Sequence, residues 1–144
     1  MVTVEHLLAR KPRALHAIGP DEPVLEAIRL MAEHGIGAIL VLRDTDLAGI
    51  LSERDYARKV VLQGRSSSAT PVWQIMSAPV VTVGLQHDLD HCMRLMTEQR
   101  IRHLPVVDDD GRQVVGMLSI GDLVKAVIDD QRRTIEQLEA YIHS

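Results

Sequence analysis

The chain has no phenylalanine, one tryptophan, two tyrosines and a single cysteine among its 144 residues. With Trp73, Tyr56 and Tyr141 as the only large aromatics, there is no platform on which single-stranded bases would stack. Cys92 has no second thiol to pair with, which excludes an intrachain disulfide and fits a reducing compartment. A formal net charge of -4 argues against a protein that draws its affinity from many nucleic-acid phosphates, so no nucleic-acid partner is expected. The longest nearly unbroken apolar run, Ile36 to Leu42, is far too short for a bilayer, and Met1 to Lys11 lacks the apolar core of a signal peptide. The expectation is a cytoplasmic chain with no membrane partner. What is present is ordinary: apolar residues at 46% and charged residues at 25% set aside disordered, collagen-like and low-complexity readings.

Self-comparison reorganises the rest. Ile18-Gly19 recurs as Val83-Gly84, Arg29-Leu30-Met31 as Arg94-Leu95-Met96, Ile36 as Ile101 and Val41 as Val106, all at an offset of 65. The register then slips by two, so that Gly49-Ile50-Leu51-Ser52 with Asp55 matches Gly116-Met117-Leu118-Ser119 with Asp122. The turn Asp108-Asp109-Asp110-Gly111 absorbs the slip. The lead-in segments correspond too: Val4, Leu7, Leu8 and Pro12 have the spacing of Val72, Ile75, Met76 and Pro79 to within a residue. The chain divides into a repeat over 1–66, a second over 67–128 and an extension over 129–144, with the polar stretch Gln63 to Pro71 as the joint.

Within each repeat the hydrophobic period changes in a fixed order. Val24, Ala27, Ile28, Met31 and Ala32 have the spacing of an amphipathic helix, and Leu89, Cys92, Met93 and Met96 repeat it. Apolar runs Ala38 to Leu42 and Leu47 to Leu51, and again Leu104 to Val107 and Val114 to Leu118, read as hairpins of buried strands. A second helix follows, Glu53 to Leu62 and Ile120 to Ile128, with Tyr56, Val60 and Val61 or Leu123, Val127 and Ile128 inward. The fold class is α/β (α+β): two pseudo-two-fold related β-α-β-β-α repeats, each too small to bury much core alone, packed sheet against sheet.

The strongest chemical signal is Gly-x-Leu-Ser-x-x-Asp where a strand runs into a helix, at Gly49 to Asp55 and at Gly116 to Asp122. One reading is a capping box, with Ser52 or Ser119 as N-cap and the acidic residue three later returning the hydrogen bond. The other aims the same helix start at a ligand: free N–H groups and a hydroxyl face an anion, while the carboxylate accepts from the two hydroxyls of a ribose. Both readings stand at this point. His87, His91, Cys92 and His103 raise the question of a metal, but Cys92 aligns with core-facing Ala27 and His91 with polar-face Glu26. No metal site, catalytic residue or enzymatic activity is expected, since no nucleophile elbow, Cys-x-x-Cys or Gly-rich phosphate loop is present.

Ile75-Met76 with Pro79, the run Arg100-Ile101-Arg102-His103-Leu104-Pro105-Val106-Val107 and the two Gly-x-Leu-Ser-x-x-Asp segments together resemble a tandem pair of cystathionine-β-synthase-type (CBS) domains. The resemblance covers nearly the whole chain and is greatest to bacterial stand-alone CBS-pair proteins. It implies a regulatory module with two clefts between the repeats that bind adenosine-containing ligands, AMP or ATP foremost and NAD or S-adenosylmethionine besides. By position it implies Asp55 and Asp122 for ribose, and Ser52 and Ser119 near phosphate. Arg54, Arg102 and His103 are directed at phosphates, Thr82, Ile36, Gly37, Ala38 and Ile101 are along the adenine, and Pro105 is counted with the site. The copies depart from each other: Arg54 is matched by Gly121, and Arg102-His103 by Gly37-Ala38. The clefts are therefore expected to differ. A purely scaffolding pair, with both motifs acting as caps, is the alternative. The resemblance also implies a homodimer and a downstream protein partner. Leu30, Leu95 and the tail residues Ile135, Leu138, Tyr141 and Ile142 supply apolar surface for the dimer, unless the tail folds back on Val4, Leu7 and Leu8.

Overall fold

The computed structural model describes residues 1–12 and 14–143; Arg13, in the first lead-in segment, and Ser144, at the end of the extension, lie outside the described residues. The chain runs α1 (Val4–Ala9), β1 (Ala17–Ile18), α2 (Val24–His34), β2 (Ala38–Arg43), β3 (Asp46–Ser52), α3 (Glu53–Tyr56), β4 (Val83–Gly84), α4 (Leu89–Gln99), β5 (His103–Val107), β6 (Val114–Ser119) and α5 (Ile120–His143). Two three-stranded sheets result, in the orders β1-β2-β3 and β4-β5-β6. In each the first strand pairs parallel to the second, Ile18 with Val41 and Val83 with Val106. The hairpin that follows is antiparallel, with a register shift just after the pairs Val41–Gly49 and Val106–Gly116. The repeat read in the sequence is thus a repeat of strand pairing.

The lead-in segments are exchanged. Val4, Leu7 and Leu8 of α1 are buried in the core of the second unit with Leu104, Leu118 and Leu123. Val72 and Ile75, around a 3-10 turn at Val72–Gln74, are buried in the core of the first unit with Ile39, Val41 and Leu51. Backbone bonds repeat the exchange position by position: Val4 N–H donates to His87 O (2.8 Å) as Val72 N–H donates to Glu22 O (2.9 Å). Likewise Leu89 N–H donates to Val2 O (2.9 Å) as Val24 N–H donates to Thr70 O (2.8 Å). Each repeat completes its hydrophobic layer with a piece of the other, which ties the units into one cooperative body.

The exchange explains the glycine of each motif. A Cβ added at Gly49 would lie 2.5 Å from Met76 Sδ and 3.1 Å from Ser77 O; one added at Gly116 would lie 2.6 Å from Leu8 Cδ2. The crossing segments pass so close to β3 and β6 that only glycine leaves room.

Several expectations are corrected. The helix from Glu53 to Leu62 is α-helical only to Tyr56 and continues as a π-helical turn, Ala57–Val61, with Leu62 N–H donating to Ala57 O. In that wider turn Val60 takes the inward position and Val61 is exposed. On α5 the core-facing positions fall to Leu123 and Ala126, so Ile128 turns outward. Ala32 is exposed, and Leu30 and Leu95 pack in part against the cores of their own units. The tail does not fold back on Val4, Leu7 and Leu8, whose side chains are already buried in the second core; α5 continues unbroken for 24 residues, and every described residue from 130 onward is exposed.

Candidate functional site

Both Ser-x-x-Asp segments form reciprocal caps. Asp55 N–H donates to Ser52 Oγ (3.1 Å) and Ser52 N–H to Asp55 Oδ2 (3.0 Å); Asp122 N–H donates to Ser119 Oγ (3.3 Å) and Ser119 N–H to Asp122 Oδ2 (2.8 Å). Each helix start is further tied to the loop that enters the middle strand of its own unit: Glu53 N–H donates to Gly37 O and Ile120 N–H to Arg102 O. The two reciprocal bonds of the cap are the same in both copies.

Their surroundings are not. Asp55 is 9% exposed, and both its oxygens are engaged. Oδ2 also accepts from Ser52 Oγ, while Oδ1 accepts from Ser77 Oγ (3.1 Å) and faces Lys59 Nζ at 3.2 Å. Lys59 in turn donates to Ile75 O. Asp122 carries its bonds on Oδ2, from Ser119 and from Lys11 Nζ at 2.8 Å; among the described residues none falls on Oδ1. Lys11 also donates to Met117 O at 2.7 Å.

Lys11 stands on the wall of a cavity of about 340 Å³. The first lead-in segment contributes Leu8, Pro12, Ala14, Leu15 and His16; the end of α2 and start of β2 contribute Gly35 to Ala38; and the second unit contributes His103, Gly116, Met117 and Ser119. Asp122 is joined to this wall through Lys11. The volume sits at the low end of the roughly 300–1,000 Å³ typical of small-molecule sites. A cation, an imidazole, a hydroxyl and a carboxylate converge at the start of α5, where the helix N-terminus favours negative charge. His103 is close enough to Gly37 that a Cβ there would lie 3.6 Å from its Cε1. Burial first, and then the Lys11 ammonium, hold the His103 imidazole below its usual 6.5, against the opposite pull of Asp122 and Glu53. For Asp122 burial pushes upward, but the hydrogen bonds from Lys11 and Ser119 outweigh it, and the carboxyl lies below the ordinary value.

Of the residues expected at the site, Ile36, Gly37, Ala38, His103 and Ser119 share this cavity, with Asp122 behind Lys11. Ser52 and Asp55 are brought together, in the closed arrangement beside Ser77. The others are placed elsewhere. Thr82 lines a separate open groove between the two hairpin turns, near Pro79, Asp46 and Arg112. Arg54 reaches across to donate to Arg100 O at 3.3 Å. Arg102 is exposed and contributes its carbonyl to Ile120; Ile101 packs on the second core; Pro105 is buried in β5 opposite Met117. His87 and His91 stack with centroids 4.2 Å apart, while Cys92 is fully buried, its thiol pushed up to about 11 by burial and then by Asp88.

Sequence reasoning missed Lys11. The one available signal was a cation immediately before Pro12 where the second copy has Ala78 before Pro79. His16, stacked on His34 at 3.8 Å, was missed as well.

The model of the CBS domain family matches residues 3–62 and 72–129. The chain is 43% identical over 85% of its length to the mitochondrial CBS domain-containing protein CBSX3 of Arabidopsis thaliana, and spans 61% of that protein. It is 53% identical to a solved CBS-domain protein of Burkholderia ambifaria, with a TM-score of 0.86 over 90% of this chain and 96% of that one. The CBS pair of protein MJ0100, solved with 5'-methylthioadenosine and S-adenosylmethionine, shares the fold with a TM-score of 0.79 at 23% identity over 90% of this chain and 98% of that one. Among the described residues no helix is long and apolar enough to cross a membrane.

Proposed function

The chain belongs to the CBS domain family, whose paired repeats form regulatory ligand-binding modules, and from that premise we propose that it senses an adenosine-containing nucleotide in one cleft and works as a homodimer. The observation that carries the reading is the Ser119–Asp122 helix start, joined through Lys11 to the 340 Å³ cavity that Ile36, Gly37, Ala38 and His103 also line. The ribose hydroxyls are assigned to Asp122 Oδ1, the base to the apolar wall at Ile36 and Ala38, and the phosphate to Lys11 and His103, in the favourable field of the α5 N-terminus. The cavity's size favours a nucleoside monophosphate such as AMP over ATP, NAD or S-adenosylmethionine.

Asp55 is read differently. With Ser77, Lys59 and Ser52 satisfying its oxygens, it acts as a structural cap and lead-in anchor, so the scaffolding alternative describes the first copy and the sensing role describes the second. The site is read as one for binding, in keeping with the regulatory role of paired CBS repeats. Calorimetry with AMP, ATP, NAD and S-adenosylmethionine tests this. Binding in the micromolar to millimolar range is expected, lost in Asp122→Ala and retained in Asp55→Ala variants that remain folded. A panel bound equally by wild type and Asp122→Ala would overturn the assignment.

A further inference from the structure

The tail of α5 carries a pattern that the ligand site does not use. Val124, Ile128, Gln131, Ile135, Leu138 and Ile142 are separated by alternating steps of four and three, the a/d spacing of a left-handed coiled coil. All six are exposed, Ile135 at 54% and Leu138 at 58%. The seam spans about 27 Å at 1.5 Å per residue. Its first two positions lie on the body of the second unit and its last three on the protruding tail.

We propose that this seam pairs with the same seam of a second copy of the chain, antiparallel, so that each tail lies along the base of the partner's α5. The seam is self-complementary in that direction. Antiparallel pairing sets Ile142 against the partner's Val124, Leu138 against the partner's Ile128 and Ile135 against the partner's Gln131. The single polar layer then meets isoleucine on each side, and no two glutamines are buried together. Flanking charges select the orientation. The position beside the seam is occupied by Lys125, Arg132 and Glu139, and the antiparallel register brings Lys125 beside the partner's Glu139 twice, once at each end. Arg132 meets the partner's Arg132 only at the two-fold axis, where long side chains diverge into water. A parallel pairing would set Arg132 beside Val127 and Glu139 beside Thr134, with no opposite charges meeting. The same helix begins at Ser119 and Asp122, so the ligand site and the pairing seam are two ends of one rod.

This inference adds an interface and a direction to the homodimer reading and rests on it. Sedimentation equilibrium of the full chain at tens of micromolar is expected to give a dimer. Leu138→Asp is expected to weaken association at least tenfold while circular dichroism stays that of the folded chain. Glu139→Lys should weaken the dimer several-fold, and Lys125→Glu with Glu139→Lys should restore it. A monomeric wild type would overturn both the homodimer reading and the seam. A dimer indifferent to Leu138→Asp would overturn the seam alone, and a charge swap that fails to restore association would overturn the antiparallel direction.

Discussion

Lys11 Nζ lies 2.8 Å from Asp122 Oδ2 although 111 positions separate them in the chain. The pair exists because α1 crosses to the second unit, carrying the residues after it over the start of α5. In the proposed site Lys11 then has two partners in turn: the carboxylate when the cleft is empty, and a phosphate when a nucleotide is present. The carboxylate meanwhile is held charged and oriented for the ribose.

Charge discrimination follows from that exchange. Wild type is expected to bind AMP more tightly than adenosine, because only the phosphate offers Lys11 a charge-assisted bond in place of Asp122. In Lys11→Met the preference should shrink several-fold, with adenosine binding held or improved. Isothermal titration of both ligands measures the ratio, and an unchanged ratio would remove Lys11 from phosphate recognition.

Acid sensitivity has a definite sign. Asp122 lies below its ordinary carboxyl value in the fold, so its stabilising contribution is complete above pH about 4 and is lost as pH falls through the folded value. His103 also lies low. As pH drops below about 6.5 the unfolded chain takes up a proton before the folded one does, and stability declines. Urea unfolding between pH 7 and 5 should therefore show a loss that His103→Gln reduces. AMP binding near pH 6 should take up a proton through His103, visible as a buffer dependence of the binding enthalpy and absent in His103→Gln.

The exchange of lead-in segments is open to a packing test. Gly116→Ala puts a methyl group 2.6 Å from Leu8 Cδ2 and should cost about 1–3 kcal/mol. Combining it with Leu8→Val should cost less than the sum of the two single changes, because the shorter side chain clears the added carbon. Strict additivity in urea melts would mean that the crossing segment yields freely.

A fourth expectation concerns backbone strain. Arg100 caps α4 in the left-handed region at φ 55°, where α2 has Gly35 at φ 63°. Its carbonyl, not its side chain, receives Arg54, so Arg100→Gly should preserve that contact and stabilise by about 1 kcal/mol. A lower melting temperature would show that the Arg100 side chain holds something the backbone does not.

The sequence by itself determined the repeat, the order of strands and helices within it and the two Ser-x-x-Asp caps. All of these depend on interactions between residues a few positions apart: hydrophobic period, turn chemistry and a capping box closed within three residues. Ile36 to Ala38, His103 and Ser119, named together from the sequence, line one cavity, because pseudo-symmetry carries segments as units. Which of two identical motifs faces an open cavity was decided only by the tertiary structure. Asp55 and Asp122 close the same reciprocal cap, and the larger difference lies in Ser77 and Lys59 at one and Lys11 at the other. Ser77 and Lys11 arrive on segments that exchange between the units. Apolar spacing shows that Val4, Leu7 and Leu8 must be buried; it carries no information on which of two equivalent cores they complete. That choice is made by close packing across the whole molecule, and with it which motif borders the cavity.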